Sequence, residues 1–433
     1  MERVRHLIVG AGISGLAYAD KLGTSEDYLV LEADKEVGGY CKTVTKEGFT
    51  WDYSGHFFHF KHKDIESHLV SRMQGQRVLT IQKDSRIHWA EESGQKRWVD
   101  FPFQKNIHQL PQADFIDCLY ELYLRDERSG VPQGEKAKSF LEMLYQRFGR
   151  GITERFLKPY NEKLYATDLT KLDVDAMGRF FPYADITDII RNMKEADNAS
   201  YNAAFTYPEG GAIQYVHALL QGVDASRIAL EEGLVSIDLK SKVATTTKRE
   251  IAFEHLVSSA PFVKLLDMSE IMYNASAYTW NKVLVFNLGF DKKGPESIHW
   301  AYYPQRDVSF YRVGFYDNIF GTPRMSLYVE LGYAKDAVID EAEIARARTR
   351  VLADLARVGL VDGHQVVAEH HVVMDPAYVH ITQHSVADVA KKRRILESRG
   401  VHTMGRYGSW TYCSIEDNIV EARALADMVK TAW

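Results

Sequence analysis

The sequence is poor in cysteine and holds no long apolar run, no basic tract and no internal repeat. Only Cys41, Cys118 and Cys413 occur. Their odd number and wide spacing exclude a disulfide framework and a zinc-type ligand set, so no metal is expected, and they suit a reducing compartment. No stretch approaches the roughly 20 apolar residues that a membrane helix needs, and the amino end enters a strand without a signal-type segment. The expected location is therefore the cytoplasm, with no membrane partner. A net charge of −6 and the missing basic run speak against a nucleic-acid surface, so any anionic ligand must be met by locally placed cations. The G-x-S-x-G elbow, the H-E-x-x-H pair and the Walker lysine loop are absent too. That leaves a cofactor as the expected source of chemistry, with protein groups used for orientation and charge.

What is present begins at the amino end. Composition is ordinary for a globular chain, and 433 residues suffice for about two or three domains. Val4 to Val9 reads as a short apolar strand, followed at once by Gly10-Ala-Gly12-Ile13-Ser14-Gly15 and a plausible helix. This is G-x-G-x-x-G in its required context. Gly10 permits the tight turn, Gly12 lets the backbone approach a pyrophosphate, and Gly15 lets the helix pack closely on the sheet. The phosphates then meet the free N–H groups of the helix start. A second strand, Tyr28 to Leu31, ends in Glu32, placed to accept from the adenosine ribose and unsuited to a 2′-phosphate. Just beyond, Gly38-Gly39 suits close backbone passage over an extended cofactor. That second glycine pair favours FAD over NAD, although an ordinary turn is also consistent with it.

Further along, helical periodicity runs from Asn106 to about Asp197, and Pro and Gly cluster at 130–134 as a loop. Short strands from Gly233 to Ser259 complete a nucleotide unit, and aromatic and β-branched alternation from Val283 to Tyr333 indicates a mixed sheet. The expected fold class is α/β: an FAD-binding Rossmann-like domain with a helical insertion and a mixed or antiparallel β-sheet substrate domain. The division reads as 1–105 for the FAD-binding βαβ unit and a flavin-contacting segment, 106–200 for the helical substrate-binding insertion and 201–270 for completion of the FAD domain. Residues 271–395 form the mixed substrate sheet, and 396–433 the terminal FAD-binding loop and helix.

Several constellations carry open readings. Gly405-Arg406-Tyr407-Gly408-Ser-Trp410-Thr-Tyr412, ahead of Asp417 and Asn418, combines glycines, a cation and aromatics near a helix start. It suits an anion or cofactor oxygens, or is a Gly-rich loop with a surface arginine and a plain Asp cap. Arg312, inside an aromatic strand, is a phosphate-binding fork or a strand-edge salt bridge. Lys158-Pro-Tyr160-Asn161 faces a cleft or merely ends a helix. Trp98 to Gln104 supplies a base-stacking floor or plain core.

Taken together, these residues resemble the UDP-galactopyranose mutase family, especially its eukaryotic-type branch, within the broader amine oxidase and protoporphyrinogen oxidase-like flavoproteins. The resemblance runs through nearly the whole chain. It is most specific at Trp300 to Pro304, Phe310-Tyr-Arg312, Tyr378 and Gly405 to Tyr412. It implies that Gly10, Gly12, Ile13, Ser14, Gly15, Glu32, Ala33, Gly38, Gly39, Tyr40 and Val235 hold FAD, with Gly405, Asp417 and Asn418 near its pyrophosphate and ribityl chain. Gly55 and His56 would border the flavin ring. Phe103 and Gln104 would sit at the uracil, with Lys158, Tyr160 and Asn161 lining the same cleft. Arg312 and Arg406 would clamp the diphosphate, assisted by Tyr302, Tyr378 and Tyr412, so that His56, Arg312 and Arg406 form the catalytic set.

The implied chemistry is an isomerisation without net redox change. Reduced FAD attacks the anomeric carbon through N5 as UDP leaves, and reclosure by another hydroxyl exchanges galactopyranose for galactofuranose. NAD(P)H or another reductant would keep the flavin reduced. Four positions depart from the family pattern: Lys158 stands for an arginine, Tyr165 for a tryptophan, Ile319 for a tyrosine and Ser54 for a glycine. They leave open a mutase for another nucleotide-linked sugar. An amine or protoporphyrinogen-type oxidase or dehydrogenase is the reading from another class of chemistry, and a non-catalytic flavoprotein is a third.

Overall fold

A computed structural model describes all residues except 91–93, 133, 197–202 and 432–433. The first strand, Glu2–Val9, lies at the centre of a seven-stranded sheet, parallel to Tyr28–Leu31 on one side and Glu250–Ser258 on the other. Val401–Thr403 pairs in parallel with Glu250–Ser258, and the hairpin Leu234–Asp238 with Val243–Thr246 closes that edge. Such a strand is covered on both faces, which is why Leu7 and Ile8 are both fully buried although they point opposite ways. On one side Leu16, Val30, Tyr215 and Ile419 pack together beneath the helices Ile13–Leu22, Ile213–Leu220 and Ile415–Thr431. On the other, Leu7, Leu256, Leu266 and Trp410 form a second layer.

A second seven-stranded sheet runs in the order Val366–Met374, Asn281–Phe290, Ser326–Ala334, Arg312–Phe315, Trp300–Tyr302, Ser85–Ala90 and Lys96–Asp100. It is antiparallel except where Trp300–Tyr302 meets Ser85–Ala90. Ala347, Val351 and Leu355 of the helix Glu341–Arg357 cover one face. The opposite face packs against the helical region, where Gln112–Tyr123, Phe140–Ile152, Lys158–Tyr165 and Ile186–Lys194 carry Cys118, Phe140, Leu144, Tyr160 and Ile189 inward. Side-chain oxygens fix two of these helix starts: Ser139 accepts from Glu142 N, and Asp185 with Asp188 forms a capping box. Two of the helices approach closely because Gly149 and Gly151 carry no Cβ. Built there, those atoms would come within 2.2 Å of Glu121 O and 2.7 Å of Cys118 Cα.

Two strands belong to a different sheet from the one the sequence-based division implies. Ser85–Ala90 and Lys96–Asp100, expected with the first unit, extend the second sheet, because Ile87 and Val99 alternate inward with its core. The expected loop at Gly405 is also shorter. Gly405–Gly408 forms one helical turn, entered at Gly405 with φ +80°.

Candidate active site at the meeting of two cavities

The glycine turn builds one wall of an inner, partly open cavity of about 1420 Å³. Gly10 has φ +99°, a left-handed conformation that favours glycine, and a Cβ on Gly15 would fall 1.9 Å from Gly10 O. The close helix–strand packing expected of Gly15 is therefore present, with Gly15 itself behind the wall. Gly10, Gly12, Ile13 and Ser14 line the cavity, as do Gly38, Gly39 and Tyr40 opposite them. Glu32 lines it too. Its Oε2 accepts from Ala11 N at 2.8 Å and its Oε1 from Asp34 N at 3.0 Å, which fixes the carboxylate at the strand end.

An outer cavity of about 1500 Å³ lies between the second sheet and the helical region. Gly55, Gln104, Tyr160, Asn161, Tyr302 and Arg312 line it, with Tyr378 and Tyr412 further round. The two cavities share His56, Arg406, Tyr407 and Ile415. His56 is half-buried, and its Nδ1 is buried with no protein partner. Burial, then repulsion from Arg406, holds its pKa down to about 4, so the imidazole is neutral at ordinary pH.

Arg406 donates to Cys413 O at 2.5 Å and faces the rings of Tyr412 and Tyr378 at 5.1 and 5.6 Å. Burial opposes its charge, yet Tyr407, Cys413, Tyr412 and Tyr378 hold its pKa above the ordinary arginine value. Arg312 is engaged differently. Its Nε and Nη2 donate to Glu330 at 2.5 and 2.8 Å across neighbouring strands. Glu330 is 1% exposed. The salt-bridge reading of Arg312 is the one observed, and a guanidinium paired along one edge keeps its other N–H donors.

Two buried amides complete the outer cavity. Gln104 donates through Nε2 to Pro182 O, and Asn161 donates through Nδ2 to Leu157 O at 2.6 Å. Their Oε1 and Oδ1 atoms are buried without a protein partner. A buried acceptor left so is costly unless a ligand donor reaches it.

Comparison with known proteins places this arrangement. Residues 8–73 match the family model described as a NAD(P)-binding Rossmann-like domain. The crystal structure of reduced UDP-galactopyranose mutase aligns with TM-score 0.87 and 25% identity, covering 99% of this chain and 94% of that one. The chain has the UDP-galactopyranose mutase fold. The resemblance read from the sequence thus extends over nearly every residue. More distantly, putrescine oxidase bound to putrescine shares the fold at TM-score 0.67 and 13% identity, with 99% of each chain covered. Among curated proteins, protoporphyrinogen oxidase 1 of Spinacia oleracea is 26% identical over 178 residues, which are 39% of this chain and 30% of that protein. The chain thus matches less than a third of that relative's length.

On the mutase fold, some expected site residues lie outside both cavity walls. Phe103 is fully buried behind the outer wall, stacked at 5.0 Å on Phe156, which itself lines the cavity and stacks on Tyr160 at 5.4 Å. Lys158 turns to Glu154, at 3.2 Å, one helical turn back. Ala33 is exposed just beyond the strand end, and Val235 sits 52% exposed on an edge strand, because neither side chain points into the inner space. Asn418 and Gly405 line the inner cavity, whereas Asp417 faces Arg179. Of the four departures, Ser54 lines the outer cavity, Tyr165 and Ile319 are buried in the core beside it, and Lys158 lies outside.

Sequence reasoning missed several residues. Lys42 lines the inner cavity and pairs with Asp34 at 2.5 Å, three residues past the glycine pair. Trp300 and Tyr328 line the outer cavity from aromatic strands in which the sequence reading assigns neither a role. Phe180 and Phe181 close its helical side, within the stretch read only as helical. Among the described residues no helix is long and apolar enough to cross a membrane, and no group of three metal-ligating side chains converges.

Proposed function

We propose that the protein is an FAD-dependent sugar-nucleotide mutase that interconverts UDP-galactopyranose and UDP-galactofuranose. One observation carries this reading: the dinucleotide cavity opens into a cavity with two arginines, and His56 and Arg406 stand in both walls. A nucleotide sugar in the outer cavity would have its diphosphate beside Arg406 and Arg312, and its sugar toward the junction.

FAD suits the inner cavity. The glycine turn leaves backbone room for a pyrophosphate, Glu32 is fixed at the ribose position, and the orphaned His56 Nδ1 is buried where the far end of an extended cofactor would lie. When bound and reduced, FAD supplies the nucleophile for the anomeric carbon. The protein's own groups then bind and orient. Arg406 stabilises negative charge on the departing diphosphate, in a buried place where such an interaction is strong. Gln104 Oε1 and Asn161 Oδ1 accept from a nucleobase N–H far from the reacting carbon, which holds the sugar in place. A neutral His56 is not a proton donor at pH 7. No acid is obligatory in this scheme, since the leaving diphosphate is already an anion.

The second reading is an oxidase or dehydrogenase, favoured by the partial match to protoporphyrinogen oxidase. It gives no role to two arginines with unpaired amide acceptors beyond them. Anaerobic incubation of dithionite-reduced protein with UDP-galactofuranose separates the two. Formation of UDP-galactopyranose without consumption of reductant supports the mutase. Stoichiometric oxidation of an amine or porphyrinogen by oxygen, with a panel of nucleotide sugars left unchanged, overturns it. A mutase for another nucleotide sugar would appear in the same panel, and NAD(P)H is the first reductant to try.

A further inference from the structure

Arg312 and Arg406 face the same space but are held in opposite ways. Arg406 is fixed by a carbonyl and two aromatic rings. Arg312 is fixed by a carboxylate, and that carboxylate is itself held. Ser54 Oγ donates to Glu330 Oε1, the same oxygen that accepts from Arg312 Nη2. Ser54 is 5% exposed and lines the outer cavity. Its own carbonyl accepts from Tyr316 OH at 3.1 Å, and Tyr316 OH in turn accepts from Asp52 N at 3.2 Å. The next residue, Gly55, is pressed against Tyr328, whose hydroxyl would lie 2.4 Å from a Cβ there. The Ser54 hydroxyl therefore has little freedom to turn elsewhere.

We propose that Ser54 and Glu330 are positioning residues that decide which edge of Arg312 meets the ligand, leaving Arg406 to supply the uncompensated positive charge. A guanidinium has five N–H donors. Glu330 takes those of Nε and one of Nη2, so two on Nη1 and one on Nη2 remain for phosphate oxygens. The buried Arg312–Glu330 pair is neutral as a unit. Its contribution to a departing diphosphate is directional hydrogen bonding, and direction is lost first when Glu330 can rotate. Ser54 supplies the second anchor that prevents this rotation.

The kinetic half of this inference rests on the mutase reading, and the test keeps the two apart. In flavin-loaded protein labelled with 15N-arginine, the Arg312 Nε–H signal is assigned by its loss in Arg312→Lys. Ser54→Ala should speed exchange of that proton with solvent by about tenfold or more and leave the Arg406 Nε–H unchanged. On UDP-galactofuranose it should lower kcat about tenfold with KM within about twofold, the sign of an interaction made in the transition state. Ser54→Thr, which keeps the hydroxyl, should restore both. Glu330→Gln serves as the second variant if Ser54→Ala does not fold, and should speed the same exchange. Unchanged Arg312 exchange in Ser54→Ala, or equal acceleration at both arginines, overturns the proposal. Faster exchange at Arg312 alone, in a protein that turns over no nucleotide sugar, upholds the positioning and sinks the mutase reading instead.

Discussion

Arg179 donates to the Asp417 carboxylate, tying the helical side of the outer cavity to the first turn of the last helix. Asp417 also accepts from Ser414 N at 2.8 Å, and Ser414 Oγ accepts from Asp417 N at 3.1 Å, so the carboxylate caps its helix and anchors the arginine together. Arg179 lies over Phe180 at 4.5 Å, and Phe180 packs on Tyr412 at 5.3 Å. The pair is partly exposed, which limits it to about 1 kcal/mol or less. Arg179→Ala should therefore move the melting midpoint by no more than about 2 °C. Turnover should suffer more, because the wall carrying Phe180 is freed, and KM for the nucleotide sugar should rise. A large drop in melting midpoint with unchanged KM would show the pair to be purely structural.

His56 should stay neutral through the physiological range. Burial, with the Arg406 charge as the second cause, lowers its pKa to about 4. In 15N spectra of histidine-labelled protein the His56 ring should titrate well below pH 5. Arg406→Met should raise that midpoint by removing the repulsion. A wild-type midpoint at 6 or above would contradict the burial and would reopen a role for His56 as an acid.

The legible part of this protein was the part written in backbone chemistry. Gly10, Gly12 and Gly15 announce a turn and a close packing that only glycine permits, and both are present. Arg406 was legible because glycines and aromatics surround a lone cation at a helix start. Phe103 and Lys158 were misplaced for a different reason. Helical or turn spacing says which residues are neighbours, not which of two stacked rings meets the cavity, and Phe156 takes the place foreseen for Phe103. Glu330 gave no signal at all. It acts on Arg312 across a strand pair, and a register that pairs residues 18 apart is not readable from either strand alone.

Acid should weaken the fold well before the carboxylates are all protonated. His6, His255 and His402 form a row across three parallel strands, with successive ring centroids 5.7 Å apart. Burial, then neighbouring histidine and arginine charges, lowers His6 and His402 to about 4. His56, His59, His88 and His380 are lowered by burial to the same level. Below about pH 6.5 the unfolded chain takes up protons that the folded chain refuses until about 4, so stability falls through that window. Buried Asp52, raised to about 6, and Asp317, also raised by burial, work the other way but are outnumbered by the histidines. The melting midpoint should drop steeply from pH 6.5 to 4.5. His402→Leu, which replaces an imidazole with no partner on either nitrogen, should make that slope shallower. An unchanged slope would exclude the row as a source of acid sensitivity.

The Arg312–Glu330 pair predicts a non-additive result. Removing one partner of a buried ion pair strands the other, at a cost of about 3–5 kcal/mol, whereas removing both can be nearly neutral. Glu330 is 1% exposed, and burial opposes the Arg312 charge that Glu330 sustains. Arg312→Met alone should therefore destabilise the protein severely in urea. Arg312→Met combined with Glu330→Gln should regain most of that loss, because the amide no longer brings an uncompensated charge into the core. Turnover should recover in neither, since both lack the donors aimed at the ligand. A double variant as unstable as the single would mean that shape, rather than charge, makes Arg312 necessary to the fold. Equal turnover in wild type and double variant would remove Arg312 from the site and leave Arg406 to act alone.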